Sequence, residues 1–329
     1  MDSQAAVSFS PGEVIFFGEH SVVYGKTAIA AAISRGVEAR GVSVEGRIEI
    51  SSHLGRLRAD LEGNRFTHVE ADEYLEPLQY IFSRLFSRLG KSIGMKITIS
   101  STIPEQSGLA SSAAVSSALI SLVLSFLGQK LSVTELVDLV YESELRIQRR
   151  GSIIGSSTTV NGGFVCVKEG RWSRLRIKPN GLRILVIDTK ERCPTSVTTA
   201  KVKALLDKDP TGTRSLFDEM DKVAQEGISS LEGGKWAEVG RFMNQNQECL
   251  RRLGVSTPKI DALTQRIKDW AFGSKITGAG GGGCLICLPK EGAEKKLAEV
   301  VGQFDSLILE TELRQEGVQC LREEVVCKP

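Results

Sequence analysis

Residues 104–127 constrain this chain more than any other stretch. Pro104 and Gly108-Leu109-Ala110-Ser111-Ser112-Ala113-Ala114 lead into a small, apolar run that ends at Leu127 and carries no charge after Glu105. Serines interrupt the run and it falls short of a membrane span, so it predicts a helix buried in a protein core over 112–127. The first turn of such a helix presents amide hydrogens without intrahelical partners, in a field that favours anions. Small side chains there let a phosphate approach the backbone, and the hydroxyls could bond it or reach Mg²⁺. A tightly packed helix start is the alternative reading of the same residues.

The rest of the chain alternates strand and helix patterns. Strand candidates are 14–17, 42–50, 95–99, 163–168 and 182–188. Helical spacing marks 75–89, 131–147, 195–204, 213–229, 235–252 and 258–270. Ser132 with Glu135 has capping-box spacing at the head of the second of these. Ala28–Ile33 is helical or extended by pattern alone, Ser51–Thr67 reads as polar and turn-rich, and Gly151–Thr159 reads as a Gly/Ser/Thr loop. Ile276–Leu288 reads as glycines followed by a strand, with further helix and strand candidates at 291–304 and 306–326. The Lys178-Pro179-Asn180-Gly181 turn separates two such halves, predicting an α+β protein of two layered domains, 1–180 and 181–329.

Several function classes fall away. Lys+Arg total 42 and Asp+Glu 40, so a general polyanion binder is disfavoured and no nucleic acid is expected. No basic-then-apolar leader opens the chain and no membrane partner is expected. The seven Cys lack framework spacing, which points to a reducing, cytoplasmic setting. Cys284-Leu285-Ile286-Cys287 has an apolar context and reads as core strand. Gly25-Lys26-Thr27 looks like the end of a P-loop, but His20 stands where its first glycine must be. Gly278–Gly283 satisfies G-x-G-x-x-G yet precedes a strand, so the dinucleotide-binding context is missing.

Three ordered segments together carry a resemblance: Pro11-Gly12-Glu13-Val14-Ile15-Phe16-Phe17-Gly18-Glu19-His20-Ser21-Val22-Val23-Tyr24-Gly25, the run Pro104–Ala114, and Lys275-Ile276-Thr277-Gly278-Ala279-Gly280-Gly281-Gly282-Gly283-Cys284. With Asn244–Asp261, they make the chain resemble the galactokinase, homoserine kinase, mevalonate kinase and phosphomevalonate kinase superfamily over nearly its whole length, with the archaeal-type mevalonate kinases as the most similar branch. The resemblance implies an S5-like N-terminal domain, a ferredoxin-like C-terminal domain, and ATP with Mg²⁺ acting on a small-molecule alcohol, mevalonate or a phosphorylated mevalonate. It implies nucleotide contacts at Pro104, Gly108, Leu109, Ala110, Ser111, Ser112, Gly278 and Gly280. It implies metal contacts at Ser112 and Glu144, and substrate contacts at Glu19, His20, Arg150 and Thr195. Ser112, Thr277 and Arg149 are the residues it points to for catalysis. A homodimer stays open.

Two positions break the family pattern. Glu13 stands where these kinases carry a lysine, and Gly155 stands where they carry an aspartate that orients or deprotonates the acceptor hydroxyl. Arg149 and Arg150 fit a carboxylate or phosphate as well as a solvated helix end. The acceptor position therefore stays open: a mevalonate 3-kinase, a phosphomevalonate kinase, a decarboxylase-like homologue and a catalytically silent nucleotide-binding homologue all stand beside a mevalonate kinase.

Overall fold

The computed structural model describes residues 5–148 and 151–323; Arg149 and Arg150 lie outside the described residues. The first sheet grows from two long antiparallel strands, β1 (Ala5–Phe17) and β2 (Ala28–Ser43). The pattern of Ala28–Ile33 left helix and strand open because this part of β2 is buried on both faces, which erases the alternation that marks a half-exposed strand. β3 (Arg47–Ser52), β4 (Gly55–Glu62) and β5 (Arg65–Ala71) follow as a meander. Where the sequence suggested only polar turns, β4 turns Leu57 and Ala59 inward on alternate positions, and Gly63-Asn64 makes the hairpin turn into β5.

After α1 (Leu78–Leu89), β6 (Met95–Ser101) inserts between β2 and β3, parallel to the latter. Then come α2 (Ser111–Phe126), α3 (Val133–Gln148), α4 (Ile154–Asn161), β7 (Phe164–Lys168) and β8 (Arg171–Leu175). α2 is the buried helix the sequence demanded: Ala114, Ala118, Leu119, Ile120, Leu122 and Val123 are fully enclosed against the sheet. The capping box forms as spaced, with the Ser132 amide donating to Glu135 Oε2 at 2.9 Å and the Glu135 amide to Ser132 Oγ at 3.3 Å.

The expected loop at 151–159 is corrected by α4. Ser and Thr disfavour helix interiors because their hydroxyls compete for the backbone. Here they bond back along the helix instead, Ser157 Oγ to Ile154 O at 3.0 Å and Thr159 Oγ1 to Ser156 O at 3.3 Å, while their small volume fits α4 tightly against α2, β1 and β2.

The second sheet contains β9 (Leu185–Asp188), then, after α5 (Thr195–Lys208), α6 (Pro210–Glu232), α7 (Trp236–Arg252) and α8 (Pro258–Ile267), β10 (Ala271–Ile276) and β11 (Cys284–Pro289). α9 (Glu294–Gln303) and β12 (Leu307–Leu309) complete it. The strands lie in the order β10-β11-β9-β12, all antiparallel, a βαββαβ unit with an enlarged first helical connection. Cys284 and Cys287 are buried in β11, as their apolar context implied. The last described strand, β13 (Gln319–Glu323), crosses back to pair with β1 in the first sheet.

Candidate functional site

A cavity of about 620 Å³ opens where the glycine-rich segments of the two sheets meet. β1 supplies its floor. A Cβ on Gly12 would lie 2.7 Å from Ile103 Cδ1 and 2.8 Å from Leu109 O, so only glycine lets the strand press against the segment entering α2. The Glu13 amide then donates to Leu109 O at 3.1 Å, which fixes the Glu13 side chain on the cavity wall.

The second contact joins the sheets. A Cβ on Gly108 would sit 2.5 Å from Thr277 O, so the loop before α2 and the loop after β10 touch backbone to backbone. Thr277 Oγ1 accepts the Ile15 amide at 2.7 Å and ties the same loop to β1. His20, held at φ 62°, donates from Nε2 to Ala279 O at 2.8 Å. Burial pushes its imidazole below the ordinary range, with the Ala279 bond opposing.

Beneath this junction Glu19 and Lys275 form an ion pair with no solvent exposure beyond 1 %. Asn246 Nδ2 donates to Glu19 Oε2 at 2.9 Å, and Lys275 Nζ also donates to Ile15 O at 3.1 Å and to Ile276 O. Burial pushes the carboxyl up and the ammonium down, and their mutual attraction opposes both.

The head of α2 forms another wall. Ala110 adopts the left-handed conformation at φ 58°, and the helix starts at Ser111 with no side-chain hydrogen bond from its N-cap residue, at an end where the first amides lack intrahelical partners. Ser112 Oγ donates to Glu144 Oε1 at 2.6 Å. Burial pushes the Glu144 carboxyl up to about 7, with the Ser112 bond opposing. A hydroxyl and a carboxylate so placed are hard oxygen donors that suit Mg²⁺. Glu13 is 3 % exposed, and burial pushes it up to about 7 as well. The Thr158 hydroxyl favours its charged form, from outside hydrogen-bond geometry, while the charges of Glu144 and Glu19 raise it further.

Of the residues expected from the sequence, Glu19, His20, Gly108, Ala110, Glu144, Thr195 and Gly278 line the cavity. Pro104, Leu109, Ser111, Ser112, Thr277 and Gly280 are not among the lining residues. Leu109, Ser112 and Thr277 act on the wall through the Glu13 amide, Glu144 and Ile15. Sequence reasoning missed Tyr141, Thr199 and Lys203, which also line it. Thr195, Thr199 and Lys203 recur four residues apart on α5, a one-face spacing that was legible once 195–204 read as helix.

Comparison with known proteins gives a consistent result. Residues 77–161 match the GHMP kinases N terminal domain and residues 228–306 the GHMP kinases C terminal domain. The mevalonate kinase of Aeropyrum pernix is 32 % identical, with 96 % of this chain and 98 % of that protein covered. The mevalonate kinase of Pyrococcus furiosus is 33 % identical, with 97 % and 99 % covered. The crystal structure of the Methanococcus jannaschii mevalonate kinase superposes with a TM-score of 0.81 at 28 % identity, covering 93 % of this chain and 98 % of that one.

Proposed function

The chain belongs to the GHMP kinase family, and from that premise we propose that it transfers the γ-phosphoryl group of ATP to a hydroxyl of mevalonate in the cytoplasm. The observation that carries this reading is the junction of Gly108 with Thr277 and Gly278, beside which Ala110, Glu144, Glu13 and Glu19 line one cavity. The full-length likeness to proteins named mevalonate kinases supports the substrate.

In this reading the amides of residues 108–112 receive the ATP phosphates, and Gly278 and Gly280 keep the facing loop close to them. Ser112 and Glu144 would hold Mg²⁺, which would neutralise phosphate charge. Thr195, Thr199 and Lys203 on α5 face the acceptor, and His20 fixes the Ala279 carbonyl beside it. Glu19, tied to Lys275 and Asn246, shapes the floor rather than changing its protonation. Residues 1–180 carry the nucleotide and the second sheet closes over the acceptor, so that catalysis comes mainly from positioning.

The test is a coupled ADP-release assay on mevalonate and on its 3- and 5-phosphates, with the phosphorylated position read by phosphorus NMR. Mg²⁺-dependent turnover on mevalonate is the expected result. Turnover only on a phosphorylated mevalonate would move the protein to another step on the same substrate class, and ATP binding without any turnover would make it a silent homologue.

A further inference from the structure

We infer that the Glu13 carboxylate is the group that accepts the hydrogen bond, and then the proton, of the acceptor hydroxyl. The inference rests on the reading of the cavity as an alcohol-phosphorylating site. It starts from the bases that line the wall. Among the described residues these are Glu13, Glu19, His20, Glu144 and Lys203. Four of them are engaged: Glu19 with Lys275 and Asn246, His20 with Ala279 O, Glu144 with Ser112, and Lys203 with Asp207.

Glu13 differs. Its Oε2 is buried and has no hydrogen-bond partner among the described residues. A carboxylate oxygen in that state is costly, because burial removes water without returning a donor. The backbone nonetheless holds it there, through the close approach at Gly12 and the Glu13 amide bond to Leu109 O. Beside the carboxylate's other oxygen, a Cβ on Gly155 would be in ordinary van der Waals contact, 3.5 Å from Glu13 Oε1 and 3.5 and 3.6 Å from the Ala110 and Ala113 Cβ atoms, so glycine leaves room there for a carbon. A substrate hydroxyl entering there would donate to Oε1 and give the carboxylate the donor that Oε2 lacks.

The step balances as follows. The hydroxyl oxygen bonds to the γ-phosphorus while the bond from that phosphorus to the bridging oxygen breaks, and its electron pair leaves with ADP. The hydroxyl proton passes to Glu13 and from there to solvent. Because the transition state is loose, the proton moves late and the carboxylate acts first as an orienting acceptor.

The experiment compares wild type, Glu13→Gln, Gly155→Asp and the double variant by ADP release at saturating ATP and Mg²⁺, with nucleotide titrations and melting curves for each. Glu13→Gln is expected to lose about 10²-fold in kcat with ATP affinity unchanged. Gly155→Asp in that background places a carboxylate from the opposite side of the same space and is expected to recover about tenfold of the loss, whereas Gly155→Asp alone falls below wild type. Wild-type kcat in Glu13→Gln overturns the inference. So does recovery of that variant at raised Mg²⁺, which would make Glu13 a metal ligand. Should Glu13→Gln fail to fold, Glu13→Asp withdraws the carboxylate by one methylene, with the same loss expected and wild-type kcat again decisive against it. Wild-type inactivity on mevalonate counts against the substrate alone, and the same variants are then compared on the alcohol that a panel of acceptors identifies.

Discussion

Gly108 and Gly278 are in backbone contact: a Cβ on Gly278 would stand 2.6 Å from Gly108 Cα. Both glycines have positive φ, 80° and 79°, so any side chain meets an intrinsic penalty as well as the clash. Gly278→Ala is therefore expected to destabilise the protein by at least about 2 kcal/mol. It should also separate the two loops, with a loss in kcat/KM of about tenfold or more. Thermal melting with and without ATP, alongside steady-state kinetics, checks both; unchanged kinetics would show that the loop junction does not set the site.

That junction also shows what the sequence could and could not convey. The composition of Gly108–Ala114 and the six-residue stretch Gly278–Gly283 marked places where backbone must come close, but nothing local says that they come close to each other. The α2 helix and the Ser132–Glu135 cap were legible because they depend on neighbours in the chain. α4 was not, because the packing that overrides its Ser/Thr propensity comes from α2 and the sheet. Glu13 and Gly155 stood out as departures from a family pattern. That they share one space is a tertiary fact.

Ser112 and Glu144 offer a second test. Ser112→Ala removes a 2.6 Å bond to a carboxylate, a bond type worth about 1.5–3 kcal/mol. Losing that donor raises the Glu144 carboxyl further, which weakens it as a cation ligand near neutral pH. We expect kcat to fall about tenfold or more and the Mg²⁺ concentration for half-maximal rate to rise, while the melting curve keeps its cooperativity. A Mg²⁺ dependence identical to wild type would remove Ser112–Glu144 from the metal site.

The Glu19–Lys275 pair predicts strong coupling. Lys275→Met leaves Glu19 buried beside Asn246 without its counter-charge, and breaking a buried pair in this way costs about 3–5 kcal/mol. Glu19→Gln with Lys275→Met removes both charges and should recover much of that loss, so the two substitutions will be far from additive. Chemical denaturation of the four proteins in the cycle measures the coupling. Additive costs would mean that the two groups are stabilised independently.

Glu13 makes a signed prediction about pH. Its carboxyl lies at about 7 in the folded chain against an ordinary value of 4.5, because burial, then the charges of Glu144 on α3 and Glu19 in the turn after β1, disfavour ionisation. The Thr158 hydroxyl on α4 opposes them. A folded state with the higher pKa binds the proton more tightly than the unfolded state. This contribution is fully present below about pH 4.5 and is lost as pH rises through about 7. A shift of that size corresponds to an upper bound of about 3 kcal/mol. Wild type should therefore lose stability between pH 5 and 8 relative to Glu13→Gln, whose amide does not titrate. Denaturant unfolding of the two proteins across that range, without nucleotide or Mg²⁺, reads the titration of Glu13 together with its coupling to Glu144 and Glu19. Parallel stability curves would mean that the Glu13 carboxyl keeps its ordinary affinity for protons, and that its burial on the cavity wall is relieved before it ionises.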